Sequence, residues 1–355
     1  MTANVNPTAA PAAPAAEVPV PTGHDMPRAV SVLVFVRDRG IFILWGLIIV
    51  AFSFWCAPYF ATWNNALLVA NAAAITAIFA AGVGFGVLTG VLDLSLPGTA
   101  AFSSCVMGWL MTHGQPVWLS LAAGLGCGVV VGLANGLIAL RGFNPIIVTI
   151  GSLSVLSGLA AVIAGGYTFP GLRALEFMGT HRYAGVPAPV YIVAVLFFVG
   201  TVFLTRTRDG IRLMAVGGNA EAVRRSGINS DRYKVVGFVI SGIFAALGGL
   251  VTTAVTTEAT PEASPSIIFN ALTAVALAGV ALTGGRGSLP RVLVGALILA
   301  TIANGLTIRG IQPYWATVVT GALLLASLVL ERVVQNSVSD RLMATANLSV
   351  HKKQV

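Results

Sequence analysis

The densest run of chemically capable residues is Gly217-Gly218-Asn219-Ala220-Glu221-Ala222-Val223-Arg224-Arg225-Ser226-Gly227-Ile228-Asn229. These residue types suit mechanical work better than covalent work. Asn219 fits an N-cap, where its side-chain oxygen can hold a free backbone N–H. Glu221 fits the positive first turn of a helix, and Arg224 and Arg225 fit the negative last turn. Gly227 fits the left-handed position that stops a helix. The spacing therefore predicts a helix of about two turns with punctuated ends. Such a helix gives a second subunit something rigid to push against; a plain solvated basic loop is the competing reading. The candidate coupling residues are Gly218, Asn219, Glu221, Ala222, Arg224, Arg225, Ser226, Gly227, Ile228 and Asn229.

Covalent apparatus is missing from the sequence. The lysines are Lys234, Lys352 and Lys353, and none follows a glycine as a phosphate-gripping loop requires. There is no His-Glu-x-x-His zinc pattern and no Gly-x-Ser-x-Gly elbow. His24, His113, His181 and His351 fall near termini or span ends, where solvation is the default. Cys56, Cys105 and Cys127 stand singly in apolar segments and read as packing residues. No cofactor or metal is expected in the chain, which would be no enzyme, and its energy must come from a partner or an ion gradient.

The elements that must position the coupling run are apolar. Of the residues, 56% are hydrophobic and 9% charged, against roughly 25% charged in soluble domains. A span needs about 20 apolar residues, and lipid leaves helices as the natural solution. The many glycines fit close helix packing. The fold class expected is all-α, a polytopic transmembrane bundle of about ten spans. These lie near 41–58, 66–89, 94–113, 116–140, 145–165, 188–205, 233–256, 267–284, 288–307 and 313–331. The junction at Gly90 to Asp93 is short enough to be a broken or re-entrant element. An Ala- and Pro-rich tail, 1–35, reads as disordered instead of as a signal peptide. The transmembrane domain would be 36–335, with a coupling loop at 206–234, and a second tail would be 336–355.

Basic residues support this topology. With the N-terminus inside, all of the 20 Lys and Arg except Arg173, Arg182 and Arg309 fall on inside segments. Both termini are then cytoplasmic, in a bacterial inner membrane. The net charge of +8 follows from this bias, and nucleic acid is not needed to explain it. Ala134-Asn135-Gly136-Leu137 recurs as Ala303-Asn304-Gly305-Leu306, five spans later and in opposite orientation. An inverted five-helix repeat predicts this, with chance similarity in Gly- and Leu-rich sequence as the alternative.

Should the bundle pass a neutral polar solute, its path would need hydrogen-bonding side chains without strong charge. Pathway candidates are Asn71, Asp93, Ser95, Asn144, Thr149, Ser152 and Asn270, with Thr76, Ser103, Ser104, Ser154 and Thr273 behind them. Each also has a bland reading, as a side chain bonding a helix carbonyl or gluing two spans. Asp93 could serve a structural or gating role, or simply cap backbone in a neutral form. It is the only acid plausibly at membrane depth, which is thin support for an ion-coupled carrier. Glu176, Glu258 and Glu262 mark two outside loops and are candidates for docking an external binding protein.

Several motifs bear a resemblance. Thr207-Arg208-Asp209-Gly210 followed by the Gly217–Asn229 run is similar to the signature of the ribose/xylose/galactose-type permeases of ATP-binding-cassette importers. Asp93-Leu94-Ser95, Asn135-Gly136-Leu137, Pro145-Ile146-Ile147-Val148-Thr149-Ile150-Gly151 and Gly284-Gly285-Arg286-Gly287-Ser288 follow the same family in order. The resemblance covers roughly 40–332. It implies a second permease chain, a cytoplasmic ATP-binding subunit docking on the Asn219–Gly227 helix and carrying ATP and Mg, and a periplasmic sugar-binding protein. One departure stands out. The family often has Glu-Leu-Asp-Ala before the glycine turn, whereas this chain has Ile268-Phe269-Asn270-Ala271.

Overall fold

The structure is a computed structural model that describes residues 28–352, with side chains placed for 39–330, 332 and 333. Of the tail assigned to 1–35, residues 1–27 lie outside the described residues, as do the side chain of His351 and most of those beyond Leu330, whereas 28–35 is helical. Helix α1 (Arg28–Trp55) is followed by α2 (Trp63–Leu88), α3 (Leu96–Thr112), α4 (Val117–Leu140) and α5 (Pro145–Ala164). A 3-10 turn (Arg173–Leu175), a short α6 (Glu176–Gly179) and a hairpin of β1 (Arg182–Tyr183) and β2 (Val186–Pro187) come next. Then run α7 (Ala188–Arg206), α8 (Arg208–Arg225), α9 (Ser230–Thr256), α10 (Ser266–Leu277), α11 (Leu289–Ile308) and α12 (Pro313–Lys352).

Among the described residues, seven helices are long and apolar enough to cross a membrane: α2, α4, α5, α7, α9, α11 and the Pro313–Leu330 part of α12. The chain is a polytopic helical membrane protein. Three of the ten expected spans are shorter: Arg39–Trp55 of α1, the 17-residue α3 and the 12-residue α10. The expected eighth span, 267–284, is corrected. Gly279 at φ +66 sends its N–H to Ala276 O (2.9 Å) while Val280 N reaches Val275 O (3.3 Å). That double bond pattern is the glycine stop of a helix, and it ends α10 about 18 Å long. At the C-terminal end α12 continues helical to Lys352, through the stretch expected to be a tail, while α1 begins at Arg28.

Burial sorts the helices. In α2 and α9, 61% of the apolar window is buried, whereas α5 has 17%. The central pair therefore carries the core, and α5 lies at its edge. The packing partners obey the five-span shift suggested by the repeated Ala-Asn-Gly-Leu. Helix α2 packs on α11 as α9 packs on α4; α10 packs on α2 as α3 packs on α9; and α10 packs on α12 as α3 packs on α5. The repeated motif also does matching work in its two copies. Asn135 on α4 bonds Ser95, and Asn304 on α11 bonds Asn65 Oδ1 at 2.9 Å. Gly136 accepts Val235 of α9 against its backbone, and Gly305 accepts Phe52 of α1. The most extensive crossing, α4 with α9, has Gly128 and Gly242 facing each other, so that a side chain on either would strike the other's carbonyl.

Candidate functional site: a capped surface helix joined to a buried polar seam

Helix α8 is two helices in one. Thr207 Oγ1 accepts Gly210 N at 3.0 Å and starts the first segment. Asn219 then breaks the helical dihedrals (φ −159°, ψ 91°), and its Oδ1 accepts Ala222 N at 3.0 Å, capping the second segment. Glu221 in the first turn pairs with Arg224 and with Arg225 Nε at 3.2 Å. The hydrogen bond from Arg224, then its charge, then the bond from Arg225 hold the Glu221 carboxyl below the ordinary carboxylate range; Glu221 in turn raises Arg224. Gly227 sits at φ +83. Its N–H reaches Arg224 O (3.0 Å) and Ile228 N reaches Val223 O (3.3 Å), closing the helix. Asn229 Oδ1 then accepts Asp231 N and Arg232 N, both at 3.1 Å, and opens α9.

This element has two faces. Ala220, Val223 and Ile228 pack against the core. Gly218, Asn219, Glu221, Ala222, Arg224, Arg225, Ser226, Gly227 and Asn229 are exposed. The segment before the kink is a helix that the sequence reading left as loop. It is tied to α9 by Tyr233, whose hydroxyl donates to Asp209 Oδ1 at 2.7 Å and accepts from Arg212 at 3.4 Å.

Glycines join α8 to the membrane bundle. Gly217 lies so close to the end of α2 that a side chain there would collide with Leu88 O and come within 2.8 Å of Gly285 N. Gly285 N itself donates to Leu88 O at 3.2 Å. Gly90 (φ +80) and Gly284 (φ +98) close the contact from either side. Three stretches thus meet backbone to backbone: the end of α2, the residues just before the Asn219 kink, and the turn that follows α10. No residue with a Cβ fits at Gly217.

From that joint the chain enters the break between α2 and α3, which holds the buried polar seam. Asp93 Oδ1 accepts Ser95 N (2.9 Å) and Ser95 Oγ (2.6 Å). Ser95 Oγ accepts from Asn135 Nδ2 at 3.0 Å and lies 3.4 Å from Thr99 Oγ1. The Ser152 hydroxyl on α5 donates to Asn135 Oδ1. Four segments are therefore linked by a directional chain of donors running from α5 through α4 to the break. Of the pathway candidates, the structure brings Asp93, Ser95 and Ser152 together. It adds Asn135 and Thr99, which the sequence reading did not place there. Nothing local marks Asn135 as their partner, apart from its recurrence in the repeated motif.

The other candidates stand apart. Thr149 bonds its own helix, to Pro145 O at 3.0 Å and Ile146 O at 3.2 Å. Asn144 is the exposed N-cap of α5, accepting Ile146 N at 2.9 Å. Asn71 is half-buried in α2 with its Oδ1 lacking a partner. Asn270 is half-buried on α10. Glu176, Glu258 and Glu262 are all exposed, at the end of α7 and α9 opposite to α8. Their two loops are sewn together there. Phe169 and Ala259 exchange backbone bonds of 2.9 and 3.0 Å, and Leu172 N reaches Thr257 O at 2.9 Å.

A bundle with a capped lever at one end, a sewn pair of loops at the other and a polar seam between suits a conduit. Sequence comparison agrees. Residues 65–328 match the family described as branched-chain amino acid transport system, permease component. The chain belongs to this permease family. Among its curated relatives is the ribose import permease protein RbsC of Bacillus subtilis (strain 168), 34% identical over 297 residues, covering 82% of this chain and 91% of the relative. The D-allose transport system permease protein AlsC of Escherichia coli (strain K12) is 31% identical over 299 residues, 83% of this chain and 91% of the relative. The L-arabinose transport system permease protein AraH of Escherichia coli (strain K12) is 30% identical over 301 residues, 84% and 91%. The permease is a multi-pass transport subunit, and not an enzyme in its own right. These relatives, named as permeases of import or transport systems, give the ion-coupled carrier reading no support.

Proposed function

We propose that the permease is the membrane-spanning subunit of an ATP-binding-cassette importer. It passes a monosaccharide or similar small polyol inward by alternating access. A separate cytoplasmic ATP-binding subunit, carrying ATP and Mg, drives it through the Asn219–Gly227 helix. The observation that carries this reading is the glycine joint. It sets Gly217, two residues before the capped helix, backbone to backbone against Leu88 and Gly90 at the end of α2, just ahead of the break that holds the polar seam. A push on Glu221, Arg224 and Arg225 is delivered to Leu88 and Gly285 without intervening side chains to absorb it.

Chemistry favours a sugar over an amino acid. The seam offers hydroxyls, an amide and a carboxyl, and no basic side chain bonds to it among the described residues. Neutral polyols exchange water for such groups at little cost, whereas an amino acid carboxylate would be left without a counter-charge. The relatives named for ribose, allose and arabinose point the same way. Helix α5 is the face for a second permease chain. It is mostly unburied, carries Ser152 of the seam, and leaves open space beside Gly151 and Gly158. The pathway then runs between paired chains. The sewn loops bearing Glu176, Glu258 and Glu262 meet a periplasmic sugar-binding protein, with both termini of the permease in the cytoplasm and the bundle in the inner membrane.

The test is uptake by proteoliposomes holding the permease with its ATP-binding and sugar-binding partner proteins. ATP-dependent accumulation of labelled ribose, allose or arabinose, and not of leucine, is expected. Accumulation by the permease alone on an ion gradient would overturn the reading, and so would leucine as the sole cargo.

A further inference from the structure

At the end of the bundle opposite α8, a ledge overhangs a groove that neither the seam nor the coupling helix uses. The ledge is the stretch 171–187, made of the 3-10 turn, α6 and the β1–β2 hairpin. It is pinned to α9 at Gly179, where a side chain would strike Ala254 O. Ala188 N, reaching His181 O at 3.0 Å, ties it to the start of α7. Beneath it, Phe177 and Tyr183 of the ledge, Leu121 of α4 and Tyr191 and Ile192 of α7 enclose about 590 Å³, with Leu247 of α9 among the lining. That volume falls within the roughly 300–1,000 Å³ of ordinary ligand clefts.

The lining is apolar. Both tyrosine hydroxyls are spent on backbone, Tyr183 Oη donating to Phe177 O at 3.0 Å and Tyr191 Oη to Tyr183 O at 2.9 Å. From Phe244 to Val251, Leu247 is the one residue that is not buried, so α9 comes to the surface here. The groove opens on a lipid-facing stripe. Tyr191, Val195, Phe198 and Val202 follow one another at helical spacing along α7, all of them exposed and on a span. Water finds no partners in an apolar groove, and a void would forfeit the dispersion contacts of its walls. Helix α5, the face assigned to a second permease chain, lines no part of it. The bilayer is left to supply the occupant, and charge selects its kind. Arg173 and Arg182 are exposed on the ledge against one acid, Glu176, and no acid pairs with either arginine among the described residues.

We propose that the groove is a phospholipid site, taking one acyl chain, with the phosphate held at the rim by Arg182, the neighbour of Tyr183. The chain lies against Leu247 and the two tyrosine rings and props the ledge from below. The tyrosines suit that place, since their rings pack on the chain while their hydroxyls stay bonded. An arginine at the membrane surface suits an anionic headgroup. The ledge also carries Glu176, one of the acids assigned to the sugar-binding protein, so the lipid supports the surface which that partner would meet. That the lipid belongs to the outward leaflet rests on the permease reading; the occupancy of the groove does not.

The experiment places the permease in nanodiscs of phosphatidylethanolamine and phosphatidylglycerol, the latter carrying a diazirine on its acyl chain. After irradiation, the labelled residues are mapped by tandem mass spectrometry. Label is expected on Leu247 as well as on Val195, which faces lipid whatever the groove holds. Ile192→Trp, which fills the groove from α7, should lose the Leu247 label and keep that on Val195. Arg182→Glu should weaken the Leu247 label in the same way. Label on Val195 without label on Leu247 in the unaltered permease overturns the proposal, and it needs no variant to fold. A groove that is closed, or covered by a protein chain, would give that result. Label on Leu247 that survives Ile192→Trp, or that Arg182→Glu leaves unchanged, overturns it too. Should the assembled importer move no sugar, the functional reading fails while the label still decides the groove.

Discussion

The coupling helix and the polar seam are built on opposite plans. The helix is exposed and highly charged, and each of its ends is closed by a residue within three positions of the bond it serves. The seam is buried and nearly free of charge, and its key bonds join residues 40 and 17 positions apart. What the contrast teaches is where robustness lies. Exposed charges are screened and individually worth little, so the helix tolerates change in any one of them. Buried polar groups that lose a partner cost about 1–3 kcal/mol each, so the seam does not. Between the two stands the glycine joint, which owns neither charge nor side chain and depends wholly on space.

The sharpest way to break this contrast is at the joint. Gly217→Val inserts a branched side chain where even a Cβ would meet Leu88 O. Uptake should fall at least about tenfold, the cost of overpacking a closed contact being roughly 1–3 kcal/mol or more. Immunoblots of membrane fractions should still find the chain inserted. Normal uptake in this variant would mean that the joint transmits nothing. Next in size is reversal of the exposed charges. Arg224→Glu with Arg225→Glu leaves the caps untouched but places three acids on the docking face. ATP hydrolysis by the assembled importer should become uncoupled from uptake, while thermal stability of the isolated permease changes little. A stability loss matching the transport loss would show the helix to be a structural prop and no lever.

A third measurement sharpens the comparison from the seam's side. Asn135→Ala removes the donor to Ser95 and the acceptor for Ser152 together. Thermal unfolding in detergent should register about 1–3 kcal/mol of destabilisation, in contrast to the near-neutral Arg224 and Arg225 changes. The smallest effect concerns pH. Because the folded state depresses the Glu221 carboxyl, its contribution to the helix is present above the unfolded value of about 4.3. It is lost as pH falls through the lower folded value. Binding of the ATP-binding subunit, measured against pH, should therefore weaken slightly in acid, and Glu221→Gln should abolish that slope. An unchanged slope in Glu221→Gln would assign the acid response to another group.

The coupling helix was the most legible part of the sequence because caps are local. Asn219, Glu221, Arg224, Arg225 and Gly227 sit where end-specific chemistry places them, and the structure puts Asn219 and Gly227 at the two ends of that segment. The segment before it, 208–218, was read as part of the polar loop 206–234, whereas it is helical up to the Asn219 kink. Its tie to α9 through Tyr233 depends on a residue 21 to 24 positions away, which local reasoning does not see. The stop at Gly279 was within reach of the same local reasoning and was passed over, because the apolar run continues beyond it to Leu282. Asp93, Ser95 and Ser152 were picked out singly as polar residues in apolar surroundings. That they form one chain through Asn135 could not be read, because the partners lie on different helices.

By itself, the sequence determined most of the elements: apolar lengths made the long spans, and capping residues made a short punctuated helix. The repeated Ala-Asn-Gly-Leu also announced a two-fold plan that the packing partners follow. Only the tertiary structure decided which glycines touch and which hydroxyls meet Asn135. The physical reason is range. Helix propensity and capping act over one turn of chain, whereas a close backbone approach or a buried hydrogen bond depends on how helices distant in sequence come to rest against each other.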